Sequence, residues 1–110
     1  MEVEEREVVV SDLALQSLEQ IYEYGIETFA ISAANIFIEE LFTRIAQLSK
    51  RYHLYPECRY LPTKNKIYRN LIFGSYLVIY RITLSRIEIL NVLHSSRSIS
   101  VIKSAKKVTF

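Results

Sequence analysis

The 110-residue chain is half apolar and carries a net charge of +2, which excludes a disordered polyelectrolyte and fits one domain, residues 1–110, with a buried core. Its single cysteine, Cys58, and its two histidines, His53 and His94, exclude an internal disulfide framework and a cysteine-based zinc site and call for no metal or other cofactor. The small total charge hides a division: ten carboxylates stand against two arginines up to Ser49, and twelve cations against two carboxylates from Lys50 onward.

Such a division either offers the C-terminal half to an anionic partner or is neutralised within the fold. The opening MEVEEREVVV is acidic where a secretory signal is basic, and no apolar run nears about 20 residues. The expected setting is cytoplasmic, with no membrane contact.

In chain order, the valines of REVVV predict a strand, and Ser11 or Asp12 a helix cap. Leu15, Leu18, Tyr22, Ile26 and Phe29 recur at helical spacing, with Gly25 expected to bend or end that helix. A second helix is predicted from about Ser32. Its stripe is Ala34, Ile38, Leu41, Ile45, Leu48 and Tyr52, widened by Phe37 and Phe42. HLYPECRYLPTKNK has two prolines and no period, and reads as a loop. Three strands follow, KIYRNLIF, YLVIYRIT and RIEILNVLH, joined by turns at Gly74–Ser75 and Leu84–Ser85. The middle one, apolar on both faces apart from Arg81, should be central. A short helix is expected around Ile99–Ala105, followed by a fraying tail. The order predicts an α+β fold: an N-terminal strand and a helical hairpin packed on one face of a mostly antiparallel four-stranded sheet, with a short C-terminal helix or tail.

Few residues carry chemistry. With only Gly25 and Gly74 there is no phosphate-cradling glycine loop. The acids sit mainly on exposed helix positions, and Cys58 has only His53 near it in sequence. His94, at the end of the last strand, is a candidate general base, and otherwise a solvated sheet end. Arg69, Arg81 and Arg97 are candidates for one cationic face, with simple cross-strand pairing of Arg81 and Glu88 as the alternative.

From about Val8 to Lys103 the sequence resembles the RelE/ParE toxins of bacterial type II toxin–antitoxin systems. The resemblance is carried by VSDLALQSLEQIYEY, the amphipathic second helix, the arginine within YRNLIFGSYLVIYRI, and IEILNVLHSSR. It implies one fold and two trades. RelE-like members cleave messenger RNA on the ribosome, whereas ParE-like members inhibit DNA gyrase. The RelE pattern has lysines in the first strand of the hairpin, an arginine directly after the tyrosine opening the next, an arginine just after the last strand, and a tyrosine beyond it. Here Tyr68 and Asn70 occupy the first-strand positions, Leu77 follows Tyr76, Arg97 comes late after Ser95 and Ser96, and no tyrosine follows Tyr80. A third subgroup uses a His–Tyr pair, but Ser95 follows His94.

The ending therefore resembles the ParE-like branch most. That resemblance implies a plasmid-stabilising toxin that inhibits DNA gyrase. A cognate antitoxin would neutralise it in a hetero-oligomer, laying helix or strand along the sheet and helical hairpin. The expected partner-binding residues are Arg69, Tyr76, Arg81, His94, Arg97, Lys103, Lys106 and Lys107. The alternative is a ribosome-dependent ribonuclease with Arg69, Arg81, His94 and Arg97 around the scissile phosphate of messenger RNA. A harmless homologue that only binds antitoxin is a third reading.

Overall fold

β1 (Glu7–Val10) ends where Ser11 turns the chain into α1 (Asp12–Thr28). The Ser11 hydroxyl accepts the Ala14 amide and donates to Leu90 O at 2.8 Å, so one buried side chain caps the helix and ties it to the sheet. α2 (Ile31–Arg51) returns antiparallel to α1. The hairpin strands β2 (Tyr68–Phe73) and β3 (Tyr76–Ile82) lead to β4 (Arg86–His94) and the short α3 (Ile99–Ser104). This computed structural model describes residues 3–110.

The strand order is β1-β4-β3-β2. β2–β3 and β3–β4 are antiparallel and β1 runs parallel to β4, which makes the sheet mostly antiparallel. β3 is central, as its two apolar faces predict. The α2 stripe is also as predicted: Ala34, Leu41, Ile45, Leu48 and Tyr52 are buried, and Ile38 packs against the core. Phe37 joins it, whereas Phe42 is exposed.

α1 departs from its predicted stripe. Its buried residues are Ala14 and Leu18, with Ile21 packed beside them, while Leu15 is 46 % and Phe29 72 % exposed. The helical period is there, but α1 is apolar on two sides and only one of them meets the sheet. Gly25 does not end α1, which runs on to Thr28. Its role is close approach: a Cβ there would lie 3.2 Å from Ala34 Cβ. Gly25→Val should force the helices apart and cost about 1–3 kcal/mol. An unchanged melting temperature would show that the hairpin can part freely.

The sheet is covered on both faces. α1 and α2 cover one through Leu41, Ile45, Tyr80, Ile87 and their neighbours. The other face carries a second core in which Cys58 and Leu61 of the proline-containing loop meet Ile79, Leu90, Ile102 and Ala105. The loop is aperiodic, as predicted, but it is also a wall. Cys58 N donates to Tyr68 O at 2.8 Å and Asn70 N to Pro56 O at 3.1 Å, so residues 56–58 line part of the outer edge of β2. Burial raises the Cys58 thiol above its ordinary range, which suits a core side chain rather than a nucleophile. The tail does not fray after α3. A 3-10 turn follows at Ala105–Lys107, Ala105 is buried, and the Arg86 guanidinium stands 5.3 Å from the Phe110 ring centroid.

Candidate functional site

Tyr76 opens β3 and His94 closes β4, and the two are register partners at one end of the sheet. Their rings meet almost edge to face, with centroids 5.5 Å apart. Gly74, at φ 57°, turns the hairpin beside them. Ser95 N donates to Ser75 O at 2.7 Å, and Arg97 N donates to His94 O at 3.0 Å. The polar ending VLHSSR is thus an ordered turn strapped to the hairpin. His94 Nδ1 accepts the Ser96 amide at 3.1 Å and faces the Ser96 hydroxyl at 2.7 Å. A neutral imidazole held this way carries its proton on Nε2.

A groove of about 150 Å³ opens here between α1 and the sheet end, lined by Ser17, Gln20, Tyr24, Tyr76, His94 and Arg97. It continues into an apolar groove of about 240 Å³ lined by Ile21, Gly25, Phe29, Ala33 and Phe37. Ile21, Tyr24 and Tyr76 line both, and the Phe37 ring packs beside them with its centroid 5.8 Å from Tyr76 and 5.2 Å from Phe73. Burial, with a smaller contribution from neighbouring Tyr24, raises the Tyr76 phenol, so it is a neutral hydrogen-bonding group at physiological pH. Of the sequence candidates, Tyr76, His94 and Arg97 come together. Tyr24 and Gln20 were not anticipated, because they lie off the predicted α1 stripe. Their only sequence signal is an amide and an aromatic four residues apart on a helix.

Arg69 and Arg81 do not join them. Arg69 is paired in register with Tyr80, and Arg81 with Tyr68, which sends the two guanidiniums to opposite faces of the sheet. Arg69 is spent on backbone, donating to the carbonyls of Lys66, His53 and Tyr55 at 2.8–3.1 Å. Arg81 Nε donates to Glu88 at 2.7 Å and Arg86 Nε to the same carboxylate at 2.8 Å. The single cationic face expected of Arg69, Arg81 and Arg97 is therefore not formed, and cross-strand pairing of Arg81 with Glu88 stands instead. Lys103, Lys106 and Lys107 are exposed on the C-terminal segment, which packs on the sheet face away from α1 and α2. Among the described residues, the ion pairs are those of Glu88, both within the C-terminal half. The acidic and basic halves are not neutralised by direct contact.

Residues 8–99 match the family described as the ParE toxin of the type II toxin–antitoxin system parDE. The chain belongs to the ParE toxin family. No curated protein matches it significantly. Among solved structures it is similar to the chromosomal ParDE TA system from P. aeruginosa, at 14% identity and a TM-score of 0.69, over 84% of this chain and 98% of that one. At that identity the likeness speaks for the fold, which agrees with the strand–hairpin–sheet order above. Family membership makes this ParE-type chain a type II toxin with an antitoxin as its implied partner.

A second surface of this ParE-family toxin is left open. Leu15, Tyr22, Asn35, Ile38 and Phe42 line an outer groove of about 380 Å³ between α1 and α2. Among the described residues, no helix is long and apolar enough to cross a membrane.

Proposed function

We propose that this chain inhibits DNA gyrase by binding it in the cytoplasm, and that a cognate antitoxin neutralises it. The observation that carries the choice over messenger-RNA cleavage is the dispersal of the candidate catalytic groups. Arg69 is committed to three carbonyls and Arg81 to Glu88, leaving His94 and Arg97 without a second cation or a carboxylate in their groove. General acid–base cleavage needs such a partner within hydrogen-bond reach of the reacting oxygens. A groove of aromatic rings with one arginine suits instead a protein surface anchored by a few buried side chains. For the antitoxin, the outer α1–α2 groove offers apolar anchor positions to an amphipathic segment.

The test is a supercoiling assay with purified gyrase, run beside translation of a reporter message. Supercoiling should fall at toxin concentrations that leave the message intact. Replacing Tyr76 and His94 with alanine should weaken inhibition at least about tenfold, as expected for two anchors at an interface centre. Cleavage of ribosome-bound message with gyrase unaffected would reverse the assignment to the ribonuclease reading.

A further inference from the structure

The sheet face opposite α1 and α2 carries four of the expected partner-binding residues, Arg81, Lys103, Lys106 and Lys107, and lies outside both the Tyr76–His94 groove and the α1–α2 groove. Two segments distant in sequence, 55–67 and 98–110, are welded onto it by one core of Cys58, Leu61, Ile79, Leu90, Ile102 and Ala105. Together they present Arg59, Lys64, Lys66, Lys103, Lys106 and Lys107, all exposed. Glu57 is the single carboxylate side chain in these segments, and one of its oxygens accepts the Thr63 amide at 3.1 Å. Arg81 and Arg86 flank Glu88 on the same face, two cations to one anion. The helical side carries the opposite sign through Asp12, Glu19, Glu23, Glu27, Glu39 and Glu40.

We infer that this face binds the phosphate backbone of duplex DNA without reading its sequence. Several unpaired cations on one rigid, carboxylate-poor surface are the requirement for backbone binding through counterion release. The aromatic rings on this side are engaged with guanidiniums, Tyr60 with Arg59 and Phe110 with Arg86. Bases of a single strand need free rings to stack on, whereas a duplex keeps its base faces stacked and turns its phosphates outward. The lysines here belong to a rigid wall with its own core, so binding needs no ordering of a loose tail. The inference stands whether or not gyrase is the target.

The experiment is fluorescence anisotropy of a labelled random-sequence duplex titrated with the free full-length chain across a salt series. Binding should weaken steeply with salt. K103E/K106E/K107E should lower affinity at low salt at least about tenfold and flatten the log–log salt slope by about 2–3, close to one per lost phosphate contact. R59E/K64E, on the other segment, should act in the same direction, and it keeps the question open to an answer if the triple variant folds poorly by circular dichroism. Variants in the Tyr76–His94 groove should bind the duplex normally. A salt slope near zero, or affinity indifferent to both sets of reversals, would overturn the assignment. So would tighter binding to a single-stranded RNA, capture by phosphatidylserine vesicles in place of the duplex, or reversals that impair only association with the antitoxin.

Discussion

Leu41→Ala should make this protein unfold more readily, lowering stability by about 2–5 kcal/mol. Leu41 is fully buried at the centre of the helix–sheet core, among Ile45, Leu48, Tyr80 and Ile87. Removing three carbons there loses their transfer free energy and leaves a cavity that the sheet cannot collapse into. A domain of this size commonly has only about 5–15 kcal/mol in total. Thermal melts should therefore fall by roughly 4–8 °C per kcal/mol lost. Phe42→Ala, one residue on and exposed, is the control and should melt close to the parent. Equal losses at both positions would mean that α2 does not present the face described.

The second large effect concerns Glu88, whose side chain is 6 % exposed and accepts from two arginines. Burial alone would push its carboxyl up. The hydrogen bonds and charges of Arg81 and Arg86 outweigh that and hold it below the ordinary glutamate range. A carboxyl lowered in the folded state binds protons more weakly there than when unfolded. Its stabilisation is thus complete above the unfolded value of about 4.3 and is lost as pH falls through the lower folded value. Glu88→Gln should cost about 2–4 kcal/mol at neutral pH, somewhat less than breaking a fully buried pair because Arg86 is partly in water. It should also flatten the acid limb of the stability curve. Denaturant melts of parent and variant at pH 7 and pH 3 would check both statements. A gap of the same size at both pH values would show that the carboxylate charge is not what matters.

The features that were legible in the sequence are those with a period. The α2 stripe, the central β3 and both hairpin turns follow from spacing and from Gly74, and the structure has them. The features that were not legible depend on which of two faces an element turns inward. α1 has apolar residues on two sides, so its period alone does not say whether Leu15 or Ile21 meets the sheet. Gly25 shows a loss of helix propensity in the sequence, while its neighbour Ala34 is visible only in three dimensions. Arg69 and Arg81 look like a pair because both sit on adjacent strands. A register offset of one residue sends them to opposite faces. Of the site, the His94–Arg97 ending and Tyr76 were anticipated, while Tyr24 and Gln20 depend on how α1 is turned.

The parallel pairing of Glu7–Val10 with Arg86–Ile89 also bears on how the toxin is born. β1 leaves the ribosome well before β4, its partner in the sheet, has been made. Until then the valines have no hydrogen-bonding neighbour, and the two helices have only half of the surface they cover. Contacts this distant along the chain are closed late, because their loop entropy must be met before they give anything back. A truncated or stalled chain lacking residues 86–94 therefore has neither the β1–β4 ladder nor the Tyr76–His94 groove. Synthesis itself thus times the appearance of the proposed inhibitory surface, which cannot assemble before β4 has emerged.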